Sequence, residues 1–342
     1  MTATWSRADV LRAHVQTWRP YTLWYIGMVG LAGCALASPR PAWWHLADAW
    51  AAPTLGWIGA HYLGDYFDRR LDAIAKPSRP IPSGRLTPSA AVACGAGCLA
   101  GVGLLAVAAG WACGLAAVAA AVGAVGYSRW LKARGLAGNL MRGALGALAL
   151  CYGALAAEPG VPAIRWAFLP FVLAFWAHDT SSNLVGTMRD MAGDKAGGYH
   201  TVPVRYGRRA AGHIALLLYV MAVLASLAGG LLSGRRTGVH TAPARFSVLL
   251  AAAVVLGAAA FAILFGQPGR REQRRDAHSA LQAHEVLVLE RLVFTAAPIS
   301  LGLGLPVAVC VLVPAFALSW WTQARMRSAY EMGPAIFESS VE

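Results

Sequence analysis

Acidic residues are scarce in this chain: 16 Asp and Glu stand against 29 Lys and Arg in 342 residues, and all charged residues together make up only 13%. A soluble domain of this length carries roughly twice that share, so an ordinary water-soluble fold is excluded. Cysteine offers no chemistry. Cys34, Cys94, Cys98, Cys113, Cys151 and Cys310 all lie in apolar runs and none forms a Cys-x-x-Cys pair, so they read as small membrane residues, not as metal ligands or disulfides. Alternation of polar and apolar residues is missing, which excludes a membrane β-barrel. No strand precedes Gly95-Ala96-Gly97, so these glycines pack helices and do not form a nucleotide loop. His278, His284, Glu285 and Glu290 have no zinc spacing, and the first twenty residues carry no cleavable-signal pattern.

What the chain does have is apolar length. Hydrophobic residues make up 57%, in recurring runs of near-spanning length rich in alanine and glycine. The expected fold is therefore all-α: a polytopic transmembrane bundle of about nine spans. They fall near 21–38, 43–63, 90–110, 111–128, 138–157, 165–187, 210–232, 246–265 and 293–321. We read 1–342 as one integral-membrane domain with loops at 64–85 and 187–207 and a polar cytoplasmic insert at 267–290. Most of the Lys and Arg then fall on one side. The other side holds Arg40, Arg165, Arg235, Arg236, Arg245, Arg325 and Arg327. This bias predicts a cytoplasmic N-terminus, a cavity opening to the cytoplasm and a C-terminus outside. The net charge of +13 is accounted for by orientation, anionic lipid and an anionic substrate, without nucleic acid.

Against this background the few acids are conspicuously grouped. Asp65, Asp68 and Asp72 follow the second apolar run at spacings of three and four, which places them on one helix face. About 120 residues later, Asp190 and Asp194 repeat the four-residue step. Read backwards, their stripe continues through Thr187, Asn183 and Asp179 into the sixth span, and ionisable groups inside a membrane line cavities. Carboxylates stacked this closely repel one another unless a cation offsets the charge. Oxygen-only ligands favour a hard ion such as Mg²⁺, and a pair of such helix ends can clamp metal-bound diphosphate.

The pattern resembles the UbiA-type intramembrane prenyltransferase superfamily. Its first motif is Asn-x-x-x-Asp-x-x-x-Asp, matched at Asp68 and Asp72, and its second is Asp-x-x-x-Asp, matched at Asp190 and Asp194. Arg79-Pro80-Ile81-Pro82-Ser83-Gly84, Tyr127-Ser128, Lys132, Gly138-Asn139 and the run Gly198 to Gly207 are also similar to family segments. One departure is that the leading Asn of the first motif falls at Gly64; Asp65, or His61 one turn earlier, is the candidate to replace it. The resemblance implies Mg²⁺-dependent transfer of a prenyl group from an isoprenyl diphosphate to an acceptor, expected to be aromatic. Asp68, Asp72, Asp190 and Asp194 would hold metal. Lys132, Arg79, Arg189 and Lys195 would contact phosphate, and Tyr127 would face the allylic cation. Asp179 and Asn183 sit deeper along the sixth-span stripe, where a buried carboxylate would act as a base on the acceptor or steady the cation. Two other readings use the same residues: a terpene cyclase of the same superfamily, and a transporter or channel lined by the Asp stripes.

Overall fold

The computed structural model describes residues 5–158, 165–234, 242–266 and 273–327, and it is almost entirely helical. Arg235, Arg236, Arg270, Arg271 and the chain after Arg327 lie outside the described residues. A short helix, α1 (Arg7–Trp18), is started by a capping box between Ser6 and Asp9. Then come α2 (Pro20–Ala37), α3 (Trp43–Ala75), α4 (Pro88–Ala109), α5 (Trp111–Gly126), α6 (Leu136–Ala157), α7 (Leu169–Arg189) and α8 (Met191–Ala196). The chain continues with α9 (Val202–Gly234), α10 (Ala242–Phe265), α11 (Gln273–Leu303) and α12 (Leu305–Thr322).

Among the described residues, 8 helices are long and apolar enough to cross a membrane. The long helices α3 and α7 fall below that apolarity: α7 carries the polar run His178 to Asn183, and α3 carries His45, Asp48 and several tryptophans ahead of its acidic end. The protein is an integral membrane protein. Its axis is α2, buried along nearly its whole length and packed against α3, α6, α11 and α12. Small residues permit this. A Cβ on Gly153 of α6 would lie 1.8 Å from the carbonyl oxygen of Gly30 of α2, so the two backbones touch directly there. In contrast, α4 and α5 turn Leu104, Val107, Leu115, Val118 and Val122 outward, as lipid-facing helices do.

The last expected span requires correction. The apolar run 293–321 is two helices, α11 and α12, separated at Gly304, whose φ of 93° ends α11 before Pro306 opens α12. The expected polar insert 267–290 is, from Gln273 onward, the first half of α11. Its last residue points inward: Glu290 is fully buried, accepting from Tyr219 at 3.0 Å and bonded to His178 at 2.7 Å. The added turn of the chain carries Arg327 back to the end where α2 begins. There it packs against Tyr21 and hydrogen-bonds His284. Arg325 and Arg327, expected at the opposite end from the Asp motifs, therefore lie at the same end.

Candidate active site

The first acidic stripe occupies the final turns of α3. Asp65, Asp68 and Asp72 are all buried, and each faces a cation. Arg19, at the junction of α1 and α2, donates to Asp65 at 2.6 Å. The turn after α3 folds back through Arg79 N–H to Lys76 C=O and Ser83 N–H to Arg79 C=O. That fold-back buries the Arg79 guanidinium, whose Nη1 sits 2.9 Å from both oxygens of Asp72 and 4.0 Å from Asp65. Lys132 follows a π-helical turn at Tyr127–Leu131 and donates to Asp68 Oδ2. The other oxygen of Asp68 is buried without a hydrogen-bond partner among the described residues.

The second acidic pair is brought beside the first by two ties. Lys76, just past α3, donates to Asp190 at 2.9 Å, and Arg189 grips the same carboxylate at 2.7 and 2.9 Å. A two-residue parallel pairing sets Arg134 against His200 and Gly135 against Thr201, locking the Lys132 loop to the segment after α8. Thr201 in turn donates to Asp194 Oδ2 at 3.3 Å. Burial, then the neighbouring Asp190, raises the Asp194 carboxyl from its usual range to about 7. Burial is the largest influence on Lys132 and opposes its charge, but Asp68, Tyr127 and Asp72 around it together outweigh burial and move its pKa upward.

All four motif carboxylates line one cavity of about 340 Å³, together with Asp65, Lys76, Arg79, Lys132 and Arg189. Its inner wall carries Asp179, Asn183, Asn139, Arg142 and Arg291. Asn139 donates to Asn183 at 2.8 Å, tying α6 to α7. Arg142 lies 3.6 Å from Asp179 Oδ2 and 4.1 Å above the Trp57 ring. Arg291 lies 4.4 Å above Tyr25, is 4% exposed, and has Nε and Nη2 without partners among the described residues. The buried Arg291 and the partly buried Arg142 thus share one wall with Asp179, an arrangement suited to receiving an anion.

His61 and Tyr127 also line the cavity; His61 is bonded to the Thr17 carbonyl at 3.2 Å. Gly64 faces the same space, and a Cβ there would meet only Ser128 Oγ, at 3.8 Å. Lys195 is different: it is exposed and lies outside the cavity wall, because one step from Asp194 on a helix turns a side chain by about 100°. Sequence reasoning missed Arg19, Lys76, Arg142, Arg291 and Thr201. In sequence Lys76 and Arg142 look like any other Lys or Arg that fixes orientation. Arg291 falls between the expected insert, which ends at 290, and the apolar run from 293, and a basic residue flanked by an apolar run is a usable signal.

No group of three or more His, Cys, Asp or Glu is already gathered for a metal among the described residues. The carboxylates are instead held by Lys and Arg. The donor set is nonetheless all oxygen, and the unpartnered Asp68 Oδ1 fits a hard divalent cation that takes few protein ligands.

Residues 26–285 match the model of the UbiA prenyltransferase family. A digeranylgeranylglyceryl phosphate synthase from Methanopyrus kandleri is 31% identical over 269 residues, covering 77% of this chain and 93% of the relative. The synthase of that name from Ignicoccus hospitalis is 35% identical over 226 residues, covering 65% and 74%. A solved UbiA homolog from Archaeoglobus fulgidus bound to GPP and Mg²⁺ has a TM-score of 0.63 at 15% identity, covering 82% of this chain and 99% of that one. A UbiA homolog from Aeropyrum pernix K1 gives 0.67 at 15% identity, covering 81% and 96%. At these identities the solved structures speak to the fold alone.

Proposed function

The chain belongs to the UbiA prenyltransferase family, and from that premise we propose that it transfers a prenyl group from an isoprenyl diphosphate to an aromatic acceptor with Mg²⁺. One observation carries the reading. Asp68 and Asp72 from α3, and Asp190 and Asp194 from the α7–α8 junction, converge on one cavity with Lys132 and Arg79 beside them. The known binding of GPP and Mg²⁺ by a structurally similar homolog supports the same donor and metal here.

Asp68, Asp72, Asp190 and Asp194 would hold the metal, which when bound stabilises charge on the departing diphosphate. Lys132, Arg79, Arg189 and Lys76 exchange their present carboxylate partners for diphosphate oxygens as donors. The allylic C–O bond breaks, and its electron pair leaves with the diphosphate. Tyr127 offers an aromatic face to the cation. The acceptor enters at the inner wall, where its nucleophilic atom bonds the prenyl carbon and its displaced proton passes to Asp179. Asn139 and Asn183 fix the acceptor's polar groups. Asp65, clasped by Arg19 and Arg79, and His61, bonded to Thr17, hold the start of the first motif in place.

A second acceptor class, a phosphate ester, is favoured by the unpartnered nitrogens of Arg291 and by the names of the relatives. The Lys and Arg distribution supports a cytoplasmic N-terminus and a cytoplasmic cavity mouth. Asp68→Ala and Asp190→Ala are each expected to abolish transfer in membranes supplied with donor and acceptor, while the protein stays folded in detergent. EDTA should inhibit the parent and Mg²⁺ restore it. Near-parental turnover of either variant, or indifference to chelation, overturns the reading.

A further inference from the structure

Resting on that prenyltransferase reading, we propose that Tyr152 is the floor of the donor's isoprenoid tunnel and sets the longest prenyl chain the enzyme accepts. The four motif carboxylates lie at one end of the cavity, and the α7 and α11 side of its wall is polar. The α5 side is apolar: Ala117, Ala120, Ala121 and Ala124 form one face of α5, opposite Gly56 of α3 and Leu145 of α6. The other face of α5 presents Leu115, Val118 and Val122 outward. Alanine on the inner face leaves a channel where a larger side chain would fill it.

Tyr152 of α6 lines this channel and is 5% exposed. Its ring is braced from below. The hydroxyl donates to Asp48 of α3, 3.2 and 3.1 Å from the two carboxylate oxygens, and the Tyr152 carbonyl accepts from Cys113 Sγ of α5 at 4.0 Å. The neighbouring Gly153 is pressed against the Gly30 carbonyl, so α6 has no room to retreat and carry the ring away. Contacts to α3 and α5 therefore fix Tyr152, a large residue facing the alanines of α5.

Its depth gives the rule. Asn139, bonded to Asn183 on the second acidic stripe, lies in the first turn of α6. Tyr152 is thirteen residues further, about 20 Å along the helix at 1.5 Å per residue. An extended isoprene unit contributes four carbon–carbon bonds of about 1.5 Å, a span of about 5 Å. The channel thus accommodates roughly four units, a C20 chain.

The test compares kcat/KM for C10, C15, C20, C25 and C30 diphosphates with one acceptor. The parent should fall at least tenfold between C20 and C30. Tyr152→Ala should raise the C30-to-C20 ratio at least tenfold, and Tyr152→Phe, which keeps the ring, should hold the parental ratio. If Tyr152→Ala does not fold, Ala120→Phe decides from the opposite wall, because it should raise the C10-to-C20 ratio at least tenfold. A folded, active Tyr152→Ala with the parental profile, or an active Ala120→Phe with the parental profile where Tyr152→Ala cannot be measured, overturns the proposal. Absence of transfer from every donor in the parent would instead overturn the prenyltransferase reading on which it rests.

Discussion

Replacing Arg79 with alanine isolates the electrostatic bargain at the site. The Arg79 and Asp72 side chains are each 6% exposed, and one nitrogen lies 2.9 Å from both Asp72 oxygens. Asp65 is only 4.0 Å from the same nitrogen. Without the guanidinium, Asp72 stays buried beside Asp65 and Asp68 with its main counter-charge gone. Breaking a buried pair from one side costs about 3–5 kcal/mol, far above the range for exposed pairs. At roughly 2–4 °C per kcal/mol, the thermal midpoint of Arg79→Ala should fall by on the order of 10 °C. The assay is intrinsic tryptophan fluorescence of the detergent-solubilised protein during heating, with EDTA present. Two companions separate charge from packing. Mg²⁺ should recover part of the loss by neutralising Asp72. The double variant Arg79→Ala, Asp72→Ala should be more stable than the single, because it removes the orphaned carboxylate. An Arg79→Ala midpoint within 2 °C of the parent, or a double variant less stable than the single, would refute the reasoning.

Three more predictions concern the same cavity. Because the Asp194 carboxyl is raised to about 7, metal binding below that pH must displace a proton. The apparent Mg²⁺ affinity, measured by calorimetry, should weaken roughly 100-fold from pH 8 to pH 5 at about one decade per unit below pH 7, and Asp194→Asn should flatten the profile. A flat parental profile would contradict the assignment. Gly64→Asn should retain activity within a few-fold, since a Cβ there meets only Ser128 Oγ at 3.8 Å; complete loss would show that the space is needed empty. Arg291→Met should raise the acceptor KM at least tenfold without moving the donor KM, with no loss of thermal stability, because an underpaired buried charge is removed. Equal effects on both KM values would place Arg291 elsewhere in the reaction.

The bundle and its acidic pocket could be read before any coordinates because both rest on short-range periodicity. Asp65, Asp68 and Asp72 declare their shared face by spacing alone, and the Asp179 to Asp194 stripe does the same on α7 and its continuation. What spacing does not encode is the identity of the counter-charges. Lys76 and Arg79 look alike in sequence, yet a tight turn sends one to Asp190 and buries the other on Asp72. Arg142 and Arg291 come together only because α6 and α11 both flank α7. The division at Gly304 was obscured for a different reason. Glu290 and Arg291 lower the apolarity of α11, while their partners His178, Tyr219 and Tyr25 come from three other helices. A polar network satisfied inside the bundle has the same local composition as a loop.

The central claim is that acidic groups from α3 and from the α7–α8 junction share one metal-bound diphosphate. A structure with Mg²⁺ and a non-ionisable C20 thiolodiphosphate tests it directly. The account predicts metal density about 2.0–2.1 Å from carboxylate oxygens of both motifs, with Lys132 turned from Asp68 to the diphosphate. Metal held by one motif alone, or a diphosphate bound away from both, would contradict it.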